Sequence, residues 1–312
     1  MQNLMMAAQV VVPLMIYMII GALIRASGIF TVQQFKALNM LAFKVLIPLS
    51  LFFSIYDVDL AKTVVPHVFA FAAIAVSAMV AAAWILFKFL IDDKKDRATV
   101  IQGVYRSNFV LFGAAIAAQL CDADGVALVG SLTALVIPMY NIFAVILFDL
   151  NSGRKVRPGE LLIDILKNPL VLAGVFGVLL NICPFRIPVL ITAPLETLGK
   201  TATPIALVTL GGILSIKSIM GNRRFLAAAV IGRLIVIPVI MITIAAALDF
   251  RGKELIAILA IFASPTAVAS TPMAQSMGGN GELAGEIVAM TSVFSIITIF
   301  IFTYILSGMG LI

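Results

Sequence analysis

Ten long apolar segments, separated by short stretches that hold most of the charged side chains, dominate this sequence. A helix needs about 20 mostly apolar residues to cross the hydrocarbon core of a bilayer, and each segment has about 18 to 26. Apolar residues make up 62% of the chain and charged residues 12%, against about 45–50% and about 25% in soluble domains. We therefore predict an all-α membrane protein with ten transmembrane helices. The predicted segments are 5–24, 38–55, 66–91, 100–120, 126–148, 161–182, 194–216, 225–248, 255–276 and 286–307.

The two halves of the chain match at one fixed offset of 156 positions, which is half of its 312 residues. Each half holds five segments, so the second half enters the membrane from the opposite side. This pattern predicts two inverted five-helix repeats, 1–150 and 161–312, joined by a cytoplasmic loop at 151–160. The matched pairs include Pro13 and Pro169, Gly21 and Gly177, Lys44 and Lys200, Pro48 and Pro204, Gln119 and Gln275, and Gly125 and Gly281.

Lysine and arginine residues concentrate after segments 1, 3, 5 and 7, as in Arg25, Lys94 and Arg154. The positive-inside rule places that side in the cytoplasm, so both termini are predicted on the non-cytoplasmic side of a cell (inner or plasma) membrane. The net charge of +6 then reflects topology, and we expect a lipid bilayer rather than nucleic acid as a partner. The two cysteines have no metal or redox spacing, and no metal or cofactor is predicted.

Polar residues interrupt segments 4 and 9 at matching places. Segment 4 contains Arg106, Ser107 and Asn108, and segment 9 contains Ser264, Pro265 and Thr266, with Ser264 at the repeat position of Asn108. Two broken helices at matching positions are typical of a transport site, and their half-helix N-termini suit a carboxylate. The alternative is that Pro265 only kinks a helix and Arg106 sits at an interface.

Four further polar residues fall within the apolar segments. Lys44 and Lys200 each precede a proline by four positions, and either attract an anion or extend to the membrane surface. Asn141 follows Pro138 by three positions and either lines a cavity or joins helices. Arg233 has no repeat partner of like charge, so we interpret it as structural.

No acidic residue falls in the middle of a predicted segment; Glu286, for example, stands at a segment start. Because the intramembrane charge is cationic, the pattern favours an anionic substrate and argues against a carboxylate proton relay. Coupling to Na⁺ or H⁺ stays open. The residues that could hold Na⁺ are Gln119, Ser131, Thr133 and Gln275.

Three stretches resemble the auxin efflux carrier family, which contains plant PIN carriers and bacterial malonate and malate carriers. They are YRSNFVLFG, PMYNIFAV and ASPTAVASTPMAQSMGGNGELAGEIVAMTSVFSIIT. The resemblance implies two inverted repeats with helices 4 and 9 broken and crossing. It also implies a scaffold and a transport domain, each built from both repeats, and allows a homodimer. It places substrate contacts at Arg106–Ser107–Asn108 and Ser264–Pro265–Thr266.

Plant members carry prolines at the helix 4 crossover and often a long cytoplasmic loop, and this chain has neither. A short mono- or dicarboxylate such as malate or malonate therefore fits better than an indole-acetate. We predict a secondary carrier in which Arg106 pairs with a carboxylate, Asn108, Ser264 and Thr266 form hydrogen bonds, and Gly113 and Pro265 let the backbone open. The alternatives are an anion channel or a membrane sensor without transport. An enzyme is not expected, since the chain has one histidine and no H-E-x-x-H motif.

Overall fold

The structure is a computed structural model that describes residues 2–58, 60–152, 158–183, 186–214 and 221–312, with backbone only for residues 2–11, 61, 62 and 158. Arg154 and half of the predicted connecting loop, residues 153–157, lie outside these ranges. Within them, the regular structure is helical, and the one β-type contact is an isolated antiparallel bridge. The helices are α1 (Gln2–Ala26), α2 (Val32–Tyr56), α3 (Pro66–Leu90), α4 (Lys94–Tyr105), α5 (Phe109–Leu120), α6 (Ala123–Asn151), α7 (Pro158–Lys167), α8 (Pro169–Ile182), α9 (Val189–Lys200), α10 (Ala202–Ile213), α11 (Arg223–Ala247), α12 (Gly252–Ala263), α13 (Ser270–Ser276) and α14 (Gly281–Gly308), with one extra turn at Leu60–Thr63.

Five described helices are long and apolar enough to cross a membrane, namely α2, α3, α6, α11 and α14. The pair α7 and α8 would form a sixth span, although the two helices meet at an angle of 70°. Shorter apolar helices occur at Val12–Ala26 within α1 and at α5. The all-α membrane architecture predicted from the apolar segments is therefore present.

Several helices begin earlier than their apolar segments, because polar side chains cap them. Asp93 accepts hydrogen bonds from the backbone N–H groups of Lys95 and Asp96, so α4 begins well before the predicted position 100. Asn280 likewise accepts from the N–H of Leu283 and starts α14 before position 286. The interpretation of Glu286 as a segment-start residue is thus wrong: it lies in the second turn of α14, fully buried, and accepts a hydrogen bond from Asn222 at 2.9 Å.

Two breaks were not predicted. The segment predicted at 161–182 divides at Asn168, whose side chain caps α8 by accepting from the N–H groups of Leu170 and Val171. Pro169 follows, and a residue before proline is disfavoured in the helical region. The segment predicted at 194–216 divides at Thr201, whose hydroxyl donates to the Leu198 carbonyl at 2.7 Å.

The helices pack into two groups. The first group contains α1, α2, α8, α9 and α10, with α1 against α10 and with α8 and α9 against α2. The second group contains α3 to α6 and α11 to α14, with α5 against α12, α13 against α14, and α3 and α14 against α4. The groups meet mainly where α1 contacts α14 and where α6 contacts α8.

Glycines allow the closest approach inside the first group. A Cβ at Gly21 would overlap the Val208 carbonyl oxygen, and a Cβ at Gly211 would overlap the Met18 carbonyl oxygen. Close backbone contact through small residues is a common way for helices to associate in membranes. The contact between α1 and α10 therefore depends on the absence of side chains.

Replacing Gly211 by alanine should force α1 and α10 apart. We expect Gly211→Ala to lose about 1–3 kcal/mol of stability, the usual cost of overpacking, and to melt several degrees lower in detergent. The matched control is Gly308→Ala, since a Cβ there meets no atom within 4 Å. Equal melting temperatures for the two variants would contradict the packing described here.

Candidate functional site

Two broken helices cross at the centre of the second group. α4 ends at Tyr105 and α5 begins at Phe109, while α12 ends at Ala263 and α13 begins at Ser270. The extended residues between them satisfy each other: the Asn108 N–H donates to the Pro265 carbonyl at 2.8 Å, and the Ala267 N–H donates to the Arg106 carbonyl at 3.0 Å. Main-chain groups at membrane depth need such partners. The interruptions occur at the residues that the sequence singled out.

Arg233 closes the C-terminal ends of α4 and α12. It lies in a π-helical turn of α11, Gly232–Val236, just before Pro238, and its side chain is fully buried. A guanidinium has five N–H donors, and here all the contacts go to main-chain carbonyls. Those carbonyls belong to Val104 and Tyr105 at the end of α4 and to Ile261, Phe262 and Ser264 at the end of α12, at 2.7–3.3 Å. The structural interpretation of Arg233 is confirmed.

A pocket of about 140 Å³, the central pocket, lies between the crossing and the first group of helices. The first group contributes residues of α2 and α10, and the second contributes the crossing, α5 and α6. The lining residues are Ile47, Ser50, Leu51, Ser54, Ala202, Thr203 and Ala206 from the first group, and Arg106, Ser107, Asn108, Val110, Leu111, Ile137, Tyr140, Ala267, Val268 and Ala269 from the second.

Arg106 is the charged residue of this pocket. Its side chain is buried, with one N–H donating to Asn141 Oδ1 at 2.7 Å and another to the Met273 sulfur at 3.0 Å. A thioether is a weak acceptor, and among the described residues no carboxylate forms an ion pair with Arg106. Asn141 does not line the pocket; it holds Arg106 and also donates to the Leu170 carbonyl at 3.3 Å across to α8.

Ser107 and Asn108 also face the pocket. The Ser107 hydroxyl lies 3.1 Å from the Tyr140 hydroxyl. The side-chain amide nitrogen of Asn108 is buried and has no hydrogen-bond partner among the described residues. Asn108 precedes α5 without capping it, so the positive N-terminal end of α5 lies at the pocket wall beside an unused N–H donor.

Ser264, Pro265 and Thr266 lie at the crossing but off the pocket wall, which is formed by the next three residues. The Ser264 hydroxyl donates to the Ala260 carbonyl, and the Thr266 hydroxyl donates to the Gly103 carbonyl at 2.6 Å. In this conformation these two hydroxyls hold the backbone. Their contact with a substrate stays a prediction.

Lys44 and Lys200 lie in different surroundings, and neither lines the central pocket. Lys44 lies in the π-helical turn Ala42–Leu46 of α2, exposed, and does not line the central pocket. Lys200 is exposed, pairs with Glu196 at 2.6 Å, and lines a different pocket. Gly113 packs against α12, where a Cβ would come within 2.9 Å of the Ala260 methyl group.

The four residues proposed for Na⁺ do not come together. Gln119 is exposed, and the Gln275 amide oxygen accepts from Asn39. The hydroxyls of Ser131 and Thr133 donate to the carbonyls of Leu128 and Gly130. No hydrogen bond between described residues joins the four, and Na⁺ coupling remains untested by this geometry.

Sequence reasoning missed Tyr140, Ser50, Ser54 and Thr203. Tyr140 stands next to Asn141 in a polar Tyr-Asn pair, which was a usable signal. Ser50 and Ser54 are four positions apart and so share one face of α2. Nothing in the local sequence shows that this face meets the crossing, because the two are brought together only by packing.

The helix α2 passes three pockets in order. Val32, Lys36 and Met40 line the Arg25 pocket of about 640 Å³, which also contains Arg25, Ile213 and Gln275. Ile47, Ser50 and Ser54 then line the central pocket. The Asp57 pocket, of about 350 Å³, contains Ser50, Ser54, Asp57 and Lys200.

The central pocket therefore shares Ser50 and Ser54 with the Asp57 pocket and shares no residue with the Arg25 pocket. Burial raises the pKa of Asp57 at the Asp57 end, and the nearby Glu196 carboxylate raises it further, while Arg186 and Lys200 act in the opposite direction. The central pocket thus adjoins the Asp57 pocket and is separate from the Arg25 pocket.

A family model described as membrane transport protein matches residues 6–303 of the chain. The chain belongs to this family, the auxin efflux carrier family. Membership makes the chain a multi-pass membrane transport protein, as predicted. A comparison with curated proteins finds no match.

Loss of Arg233 should destabilise the whole transporter. We expect Arg233→Met to leave five buried carbonyls without their donor and to cost about 3–5 kcal/mol or more, seen as a large fall in melting temperature or in monodisperse yield. Arg251→Met is the matched control, because Arg251 also donates to main-chain carbonyls but is exposed. A melting temperature for Arg233→Met equal to that of the control would refute the capping role.

Proposed function

We propose that this family member is a secondary active transporter that moves a small organic anion across the membrane by alternating access. The observation that carries the proposal is the position of Arg106. It is a buried cation without a carboxylate partner among the described residues, on the wall of a pocket between two groups of helices. A buried charge is stable only when paired or well hydrogen-bonded, so an anionic ligand fits the pocket.

Three features of the pocket favour a carboxylate. Arg106 offers guanidinium N–H groups, which match a carboxylate in bidentate geometry. Asn108 adds an amide N–H without a partner. The N-terminal end of α5 adds the partial positive charge of a helix terminus. Arg233 already compensates the negative C-terminal ends of α4 and α12. We therefore expect a positive electrostatic potential in the pocket.

The size of the pocket favours a small substrate. About 140 Å³ holds an anion of a few carbon atoms and leaves little space for a ring system. Hydroxyl groups of Ser50, Ser54 and Thr203 stand on the opposite wall. A mono- or dicarboxylate such as malate or malonate suits this combination of charge, hydrogen-bonding groups and volume.

Repeat-related contacts support the inverted ten-helix plan. Arg25 donates to the carbonyls of Gly212, Ile213 and Leu214 at the end of α10. Asn181, its repeat partner at the offset of 156, donates to the carbonyls of Ile55, Tyr56 and Val58 at the end of α2. In this plan α4–α5, α7–α8, α9–α10 and α12–α13 are composite helices. The two groups of helices correspond to the scaffold and transport domains.

The charge distribution suggests the orientation of the open pocket. By the positive-inside rule the Arg25 end is cytoplasmic, so the central pocket opens outward through the Asp57 pocket. A barrier on the cytoplasmic side also favours a carrier over an anion channel, since a channel needs a continuous path. A non-transporting sensor would bind the anion without exchanging it.

Counterflow in proteoliposomes tests the proposal. Vesicles are loaded with unlabelled malate, trace labelled malate is added outside without an ion gradient, and uptake is followed over time. Transient accumulation is expected of a carrier. A flat trace from folded, inserted protein, repeated with malonate and with imposed Na⁺ and H⁺ gradients, would contradict the proposed substrate class. Dependence on one gradient would identify the coupling ion.

Removing the guanidinium should abolish transport. We expect Arg106→Ala to reduce counterflow by about 100-fold or more, because losing one partner of a buried charged contact costs about 2–5 kcal/mol. Expression should stay normal, since the Arg106 guanidinium makes two side-chain hydrogen bonds to described residues. Arg106→Lys keeps the positive charge but cannot bind a carboxylate in bidentate geometry, so it should retain partial activity. Unchanged transport in Arg106→Ala would contradict the role of Arg106 in binding the anion.

A negative charge at Asn108 should block the anion. Aspartate is a good residue before a helix, so Asn108→Asp should fold with equal or higher stability while losing transport by about tenfold or more, through repulsion of the anion and pairing with Arg106. Asn108→Ser, which is neutral and also caps helices, is the control. Counterflow and thermal melting are measured on both, and full activity in Asn108→Asp would contradict a substrate site beside this residue.

A further inference from the structure

We propose that Asn39, Thr209 and Gln275 form the gate that closes the central pocket toward the Arg25 pocket. The inference rests on the proposed transport function, because a gate has a role only if the pocket opens alternately to both ends. It assigns these three residues to the conformational change rather than to substrate binding.

The three side chains form one hydrogen-bonded chain between the two groups of helices. The Asn39 amide nitrogen on α2 donates to the Gln275 amide oxygen on α13. The Thr209 hydroxyl on α10 lies 2.8 Å from the Ala206 carbonyl of its own helix and 3.2 Å from the Asn39 amide oxygen, so its one proton is shared between these two acceptors. Asn39 is 1% exposed and Thr209 is also 1% exposed, whereas Gln275 is half-buried and lines the Arg25 pocket. The hydrogen bond between Asn39 and Gln275 joins the first group of helices to the second. Among the described residues, no other hydrogen bond between two side-chain amides does so.

The position of this chain matches the barrier. Along α2, Asn39 stands between Lys36 and Met40, which line the Arg25 pocket, and about two turns before Ile47, the first residue on the wall of the central pocket. Along α10, Thr209 lies between Ala206 of the central pocket and Ile213 of the Arg25 pocket. The hydrogen-bonded chain therefore runs from Gln275, on the wall of the Arg25 pocket, to Thr209, on the stretch of α10 that separates two pockets with no residue in common.

Neutral amides suit a contact that must break in every transport cycle. Separating an ion pair would leave two charges to be solvated at membrane depth, whereas amide and hydroxyl groups exchange one partner for water at small net change. The repeat partner of Gln275 is Gln119 at the other end of the bundle, and it is exposed. The engaged glutamine at the closed end and the exposed one at the open end fit a cycle in which one end closes at a time.

Accessibility of a reporter cysteine tests the gate without any substrate. Cys121 and Cys183 are first replaced by serine. Thr203→Cys is then introduced, since Thr203 lines the central pocket but neither the Arg25 pocket nor the Asp57 pocket. A membrane-impermeant maleimide is added to one side of vesicles of known orientation. In this parent, labelling should be fast from the Asp57 end and slow from the Arg25 end.

Gln275→Ala should raise the labelling rate from the Arg25 end by about fivefold to tenfold, the population change expected for one lost hydrogen bond. Thr209→Val should also raise the labelling rate from the Arg25 end. It provides a second test of the gate if Gln275→Ala fails to fold. Ser276→Ala is the matched control: Ser276 lines the same Arg25 pocket, but its hydroxyl donates to Pro272 within α13, so labelling should match the parent. Equal labelling of all variants from the Arg25 end would overturn the gate.

A covalent lock provides the converse test. Asn39→Cys together with Gln275→Cys, bridged by a short thiol-specific cross-linker, should hold the Arg25 end closed, so counterflow is lost and returns when a cleavable cross-linker is reduced. Full counterflow after complete cross-linking would also overturn the gate. If the uncross-linked protein fails to exchange malate while the labelling pattern follows the gate, the proposed substrate is at fault and the gate stands.

Discussion

The contact on which the rest of this architecture depends is the buried guanidinium of Arg233 against the ends of α4 and α12. A helix broken at membrane depth leaves carbonyl groups without water to satisfy them. Arg233 supplies donors to carbonyls of both helices, and the paired extended residues form two further main-chain hydrogen bonds with each other. The cationic side chain also balances the negative ends of two helix dipoles. With those ends compensated, the broken helices can coexist, and the N-terminal end of α5 is left facing the pocket.

Two buried arginines at this crossing do different work because their partners differ. Arg233 is saturated by carbonyls and belongs to the framework, whereas Arg106 has one amide oxygen and one sulfur as acceptors. In the sequence both are single arginines in apolar segments. The repeat offered a partial clue: both arginines lack a charged counterpart at the offset of 156, but Arg106 stands beside Asn108, whose repeat position holds the polar Ser264. That clue led to the structural interpretation of Arg233 but could not show which atoms it would hold.

Local signals predicted the helical class and the two interruptions, because Pro265 cannot donate a hydrogen bond and Arg106, Ser107 and Asn108 break an apolar run. They failed at helix starts such as Asp93 and Asn280, where a polar cap lengthens the helix beyond its apolar part, and at Thr201, which carries no breaker. The candidate site was predicted only on one wall. The hydroxyls of Ser264 and Thr266 donate to nearby main-chain carbonyls. Main-chain carbonyls thus compete with a substrate for these donors, which residue type alone does not reveal. Ser50, Ser54 and Thr203 come from α2 and α10, which meet the crossing only through packing of distant segments.

The contrast between contacts inside and between the two groups of helices determines which motion the fold allows. Inside the groups, helices approach closely at Gly211, which meets the Met18 backbone, and at Gly113, which meets the Ala260 methyl group, and such packing resists gradual deformation. Between the groups lie the central pocket and the Asn39–Gln275 pair. Moving the groups as rigid bodies breaks a few neutral hydrogen bonds, whereas bending the crossing would expose the carbonyls held by Arg233. Opening toward the Arg25 end is therefore easiest as a displacement of one group against the other, with Arg106 and the crossing carried along intact.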